Sequence, residues 1–125
     1  MTARILIVDD DDAIREIAQT SLELIGGWEV EIAATGADAL SMATENPPDA
    51  ILLDVMMPTM DGPTTFDRLQ ADPRTRSVPV VLLTAKVQGA ERRQWERLGV
   101  AGVLAKPFDP MTLPSDVAEL LGWDR

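Results

Sequence analysis

Four carboxylates stand together at Asp9-Asp10-Asp11-Asp12, directly after the apolar run Ile5-Leu6-Ile7-Val8. A fifth, Asp54, follows Ile51-Leu52-Leu53. A hydroxyl, Thr84, follows Val80-Val81-Leu82-Leu83, and an ammonium, Lys106, follows Val103-Leu104-Ala105 with Pro107 next. If these runs are neighbouring strands, Asp9, Asp10 and Asp54 converge. Like charges that close cannot all stay ionised unless a cation joins them. All-oxygen donors suit a hard divalent ion, Mg²⁺ above others, with several waters kept. Asp54, at the open end of a buried run, suits a nucleophile that attacks phosphorus and holds an acyl phosphate. Phosphoryl transfer needs charge neutralisation and positioning more than covalent help. A cation, the Lys106 ammonium and the Thr84 hydroxyl would meet that need.

Taken singly, the same residues have plainer explanations. Asp11 and Asp12 read best as helix caps, and Asp9 and Asp10 as caps or surface charge. Asp54 and Thr84 are ordinary strand-end residues, and Lys106 an ordinary turn lysine. Their order on successive strand ends favours a shared pocket over five separate accidents.

The elements that must position them follow from apolar periodicity. Arg4 to Val8 reads as a buried strand. Asp12 to Ile25 reads as a helix packed through Ile14, Ile17, Ala18 and Ile25, capped by Asp11 and ended by Gly26-Gly27. Trp28 to Ala33 alternates as an edge strand with one wetter face. Thr35-Gly36-Ala37-Asp38 resembles a capping box, opening a helix that stops before Pro47-Pro48. Ala50 to Leu53 is a third strand. Pro63 fits the first turn of a helix running to about Ala71. Val78 to Leu83 is a fourth strand, Gln88 to Leu98 a helix stopped by Gly99, and Val100 to Leu104 a fifth strand. A last helix starts at Thr112 or later, because Pro114 further inside would remove a hydrogen bond. Strands alternating with helices imply a parallel sheet covered on both faces, and sites in such sheets lie beyond the carboxyl ends of the strands.

The bulk numbers narrow the chemistry. The chain has 125 residues, one domain over 1–125, with no internal repeat and nothing after Leu121 long enough for a second. It contains no Cys, which excludes disulfides and thiolate metal sites. It contains no His, which removes the commonest general base. With 21 acids against 11 bases the net charge is −10, unsuited to direct binding of nucleic acid or of an anionic membrane. No apolar run reaches membrane-spanning length, and Met-Thr-Ala-Arg lacks the layout of a signal peptide. A cytoplasmic protein is the expectation.

The segments Ile5-Leu6-Ile7-Val8-Asp9-Asp10, Leu53-Asp54-Val55-Met56-Met57-Pro58 with Met60-Asp61-Gly62, Leu83-Thr84-Ala85 and Lys106-Pro107-Phe108 together resemble the response-regulator receiver family of two-component signalling. The likeness runs essentially the whole chain. It implies a flavodoxin-like (βα)5 fold with strand order 2-1-3-4-5. It implies that Asp54 accepts a phosphoryl group from a histidine kinase or a His-containing phosphotransfer protein, which explains why the chain needs no His of its own. It implies Mg²⁺ held by Asp10, Asp54 and the backbone carbonyl of Met56, with Asp9 acting largely through water. Thr84 would bond the phosphoryl oxygen and Lys106 pair with it. The Lys106-Pro107 bond is expected to be cis. Such a domain is not an enzyme beyond its own phosphorylation and dephosphorylation.

One departure stands out. Where the family usually has Tyr or Phe, three residues before the lysine, this chain has Val103, a stiff β-branched residue that cannot swing far. Activation is then expected to run through Thr84, Lys106 and the backbone around the fourth helix. Met56 and Lys86, two residues after Asp54 and Thr84, offer no amide to orient an attacking water, so slow self-hydrolysis is expected. The face made by the fourth helix, fifth strand and fifth helix carries Arg92, Arg93, Arg97, Asp116 and Glu119. It is a homodimer candidate, or simply a solvated face of mixed charge. The places of Trp95 and Trp123 stay open. The competing functions are a flavodoxin, disfavoured by four Asp in the phosphate-loop position; a metal-dependent phosphatase built on Asp9-x-Asp11; and a degenerate receiver that acts only as an interaction module.

Overall fold

The structure, a computed structural model, describes residues 2–85 and 90–123. Five parallel strands, β1 (Arg4–Val8), β2 (Glu29–Ala33), β3 (Ala50–Asp54), β4 (Val80–Thr84) and β5 (Gly102–Ala105), form one sheet in the order β2-β1-β3-β4-β5. This is the flavodoxin-like order that the resemblance implies. The central strands β3 and β4 are buried at every residue, as continuous Val/Ile/Leu runs require when helices cover both faces.

Alternation along the strands sorts their side chains into two cores. Leu6, Val8, Ile51, Leu53, Val80, Leu82 and Val103 face one way. They meet Ala39 and Ala43 of α2 (Gly36–Glu45), Phe66 and Leu69 of α3 (Gly62–Ala71) and Trp95 of α4 (Ala90–Glu96). Ile5, Ile7, Leu52, Val81 and Leu83 face the other way, onto Ala18 of α1 (Asp12–Thr20), Leu22 just beyond it, and Leu113 and Val117 of α5 (Leu113–Leu121). The caps are where the sequence puts them. Asp11 accepts from the N–H groups of Ala13 and Ile14, Thr35 accepts from Asp38 N–H, and Pro114 sits in the first turn of α5 behind Thr112.

Several expectations need correction. The first helix does not stay α-helical to Ile25. Ser21–Ile25 is wound as a π-helix, with Gly26 N–H reaching back five residues to the Ser21 carbonyl. Ile17 and Ile25 are not core residues; they are 44% and 40% exposed. The buried stripe is Ala18, Ser21 and Leu22, at i, i+3 and i+4, and Ile17 stands at its rim. Trp28 precedes β2, and Ile32 is 41% exposed. The Trp28 ring instead meets Trp123 edge-on, centroids 5.4 Å apart. Val78 and Val100 precede their strands because an apolar run marks burial, whereas a strand begins only where a ladder partner begins, here Ile51 for Val80 and Val81 for Gly102. Gln88, Gly89 and Lys86 lie outside the described residues, as does the side chain of Arg92. Trp95 is core, and Trp123 is half-buried against the second cluster.

Candidate functional site

β1 and β3 are adjacent, and their register sets Val8 beside Leu53. The residues that follow, Asp9 and Asp54, therefore emerge side by side at the same rim. β4 and β5 pair Thr84 with Ala105, and the Lys106 N–H donates to the Thr84 carbonyl at 2.9 Å. Lys106 thus leaves the sheet next to Thr84 and directs its chain across the rim. Its Nζ donates to Asp9 Oδ2 at 2.8 Å and to Asp54 Oδ1 at 3.0 Å. Oxygens of Asp9, Asp10 and Asp54 lie within 4.8 Å of one another. Asp9 is fully buried, Asp54 is 3% exposed and Thr84 2%, while Asp10 is open to solvent. The Lys106-Pro107 bond is cis.

Met56 contributes through its backbone. Its side chain is 71% exposed, and its N–H donates to the Asp54 carboxylate. Asp11 and Asp12 stand apart from the cluster's chemistry. Asp11 is engaged in capping α1, and Asp12 pairs with Arg15. That removes the second carboxylate of an Asp-x-Asp phosphatase pattern from the pocket. Val103 is buried in the core that holds Trp95, on the face opposite Leu104.

The electrostatics follow from burial. Desolvation raises the Asp54 pKa to about 6; the Lys106 hydrogen bond pulls it down, and the neighbouring Asp9 charge pushes it up. Burial alone would lower Lys106. The hydrogen bonds and charges of Asp9 and Asp54 outweigh it, and the ammonium is held above its ordinary value. Among the described residues, three carboxylates against one ammonium leave the pocket with excess negative charge. Its donors are all oxygen, with no sulfur or nitrogen ligand, and that set fits a hard divalent cation.

Three supports have no clear signature in the sequence. Arg15 donates from Nη1 to the Asp9 carbonyl at 2.7 Å, fixing the backbone that presents the acidic pair. Asp9 Oδ1 accepts the Asp11 N–H at 2.9 Å, so both Asp9 oxygens are engaged, one by Asp11 and one by Lys106. Gly62 sits where a Cβ would come within 2.4 Å of the Asp54 carbonyl oxygen, and its N–H donates to the Val55 carbonyl. The start of α3 can pack under the end of β3 only because residue 62 has no side chain. The Asp61 side chain caps α3 at Thr64 N–H, a role the sequence reading did not assign.

Fold and pocket together define a flavodoxin-like domain with an acidic, lysine-bridged site at the carboxyl rim of its sheet. A family model for the response regulator receiver domain matches residues 5–118, and the chain belongs to that family. It is 44% identical over 120 residues to the response regulator PleD of Caulobacter vibrioides, covering 96% of this chain and 26% of PleD. The chain spans between 26% and 51% of the length of the curated relatives it matches. Among solved structures it is similar to the chemotaxis response regulator CheY4 of Vibrio cholerae, with TM-score 0.89 and 32% identity over 96% of this chain and 99% of that one. It is also similar to the receiver domain of a sensor histidine kinase from Pseudomonas aeruginosa PAO1. There the TM-score is 0.85 and the identity 29% over 98% of this chain and 99% of that one, and that structure has a magnesium ion coordinated in its active-site cleft. No helix among the described residues is long and apolar enough to cross a membrane.

Proposed function

We propose that the chain is a phosphoryl-accepting switch domain, comprising residues 1–125, in which Asp54 is the acceptor. The observation that carries this is the Lys106 ammonium held between two buried carboxylates, 2.8 Å from Asp9 and 3.0 Å from Asp54. A lysine so placed keeps Asp54 ionised and ready to attack, and lies within reach of whatever is attached to it.

The donor is the phosphohistidine of a kinase or phosphotransfer protein. An Asp54 carboxylate oxygen attacks phosphorus and the P–N bond breaks. The electron pair stays on the imidazole nitrogen, which takes up a proton on release. Thr84, buried at the end of β4, donates its hydroxyl hydrogen to a phosphoryl oxygen, and the Lys106 ammonium pairs with another. Asp10, Asp54 and the Met56 carbonyl would hold Mg²⁺, with Asp9 acting through water. When bound, the ion neutralises charge on the phosphoryl oxygens. The chain turns over only on itself and is not otherwise an enzyme. It is cytoplasmic, and with a net charge of −10 it does not itself contact nucleic acid. The face of α4, β5 and α5, where Arg93, Arg97 and Glu119 are exposed, is the candidate surface for a homodimer.

Incubation with acetyl phosphate and Mg²⁺ tests the reading. The natural chain should gain the mass of one phosphoryl group, and Asp54→Asn should gain none. A natural chain left unmodified in that buffer would favour the interaction-module alternative.

A further inference from the structure

The loop that joins β3 to α3 is pinned at its base and strained at its tip. At the base the Gly62 N–H donates to the Val55 carbonyl at 2.9 Å, and the Asp61 side chain caps α3. Next along the chain the Met56 N–H donates to the Asp54 carboxylate, and Met57 packs against the core. At the tip the Met60 N–H donates to the Pro58 carbonyl at 2.7 Å, closing a three-residue turn around Thr59. Thr59 has φ 68°, the only positive φ at a residue other than glycine among those described. A three-residue turn of that hand is rare and strained, and a β-branched residue fits it worst. Glycine would take the same conformation without steric cost. The neighbours hold the turn in place. The ring of Pro58 fixes its own φ. Met60 lies against the start of α2, where a Cβ on Gly36 would come within 3.0 Å of its sulfur. Pro58, Thr59 and Met60 line one cleft with Asp10 and Thr35. Strained backbone persists only where its surroundings over-determine it, and such strain gathers at ligand sites.

We propose that Thr59 is a positioning residue for the divalent cation. With the loop closed between Val55 and Gly62, the tight turn at Thr59 takes up the slack in residues 56–61. The Met56 carbonyl is thereby fixed relative to Asp10 and Asp54 before the ion arrives. Stability is given up for a preorganised site. This rests on the reading of Asp10, Asp54 and the Met56 carbonyl as the ligand set, and the test separates the two.

Thr59→Gly tests it through two measurements: thermal unfolding in metal-free buffer, and Mg²⁺ affinity from the amide shifts of Asp10 and Asp54 on titration. A residue that only supports the fold would move stability and affinity in the same direction. Here they should part. Thr59→Gly should unfold at a higher temperature than the natural chain, because the strain is gone. It should also bind Mg²⁺ about tenfold more weakly, the size of loss that follows when the support of a metal ligand is removed. Thr59→Val, branched at Cβ as threonine is, should keep both the natural midpoint and the natural affinity. Thr59→Gly that binds Mg²⁺ as tightly as the natural chain, or unfolds at no higher temperature, overturns the positioning role and leaves the metal site standing, as does Thr59→Val with its affinity lost. Amide resonances of the natural chain that do not respond to Mg²⁺ overturn the metal site itself, and this inference with it.

Discussion

Asp54 lies 3% exposed between an ammonium and a second carboxylate, and burial lifts its pKa from 3.8 to about 6. Between those two values the folded chain holds a proton that the unfolded chain has lost. Stability therefore falls as pH rises through that window, and above it the dehydrated charge is a standing cost. Asp54→Asn removes the charge and keeps an oxygen for Lys106. In metal-free buffer at pH 7 this variant should be more stable than the natural chain by about 1–3 kcal/mol. The advantage should fade as pH falls toward 4. Denaturant unfolding at both pH values checks it, and a variant less stable at neutral pH would contradict it. That Asp9, Asp10, Asp54, Thr84 and Lys106 would gather was legible because each stands at or just past the end of an apolar run. The double engagement of Lys106 and the Arg15 bond to the Asp9 carbonyl were not. Any residue offers a backbone carbonyl, and no spacing rule announces which one an arginine will find.

Elements whose ends carry chemistry were easier to read than elements whose interiors change winding. Asp11 and Thr35 each precede their helix by one residue and each caps it, since a short oxygen-bearing side chain before an amphipathic stretch has one favourable use. The π-helical turn at Ser21–Ile25 has no such marker, because a five-residue hydrogen bond asks nothing of the side chains that a four-residue one does not. Ile25, at its end, is 40% exposed. Gly62 belongs to this scale too. Its missing Cβ lets α3 begin 2.4 Å, in Cβ terms, from the Asp54 carbonyl oxygen. Gly62→Ala should destabilise the domain by more than about 2 kcal/mol and also weaken Mg²⁺ binding, since the displaced backbone is that of Asp54. A denaturation midpoint equal to the natural chain's would show that the contact relaxes freely.

The whole molecule joins the two scales through strand order. Alternating strands and helices point to a parallel sheet covered on both faces, but not to which strands are neighbours; the order 2-1-3-4-5 rested on resemblance. That order sets β1 against β3 and β4 against β5, and so collects residues 9, 54, 84 and 106 at one rim. The pocket opens to solvent past Asp10 and the exposed Met56 side chain, and a thioether holds no water in line for attack. The phosphorylated domain should therefore lose its phosphoryl group slowly, and a half-life of seconds in Mg²⁺ buffer would contradict that.

Chemical mapping of the modified residue tests the central claim most directly. After treatment with acetyl phosphate and Mg²⁺, borohydride displaces phosphate from an acyl phosphate and reduces that one side chain to an alcohol. Fragmentation of the peptides should place homoserine at position 54 alone, and only when Mg²⁺ was present. Reduction at Asp9, Asp10 or Asp11, or modification of residue 54 that proceeds equally well without the metal, would contradict the account.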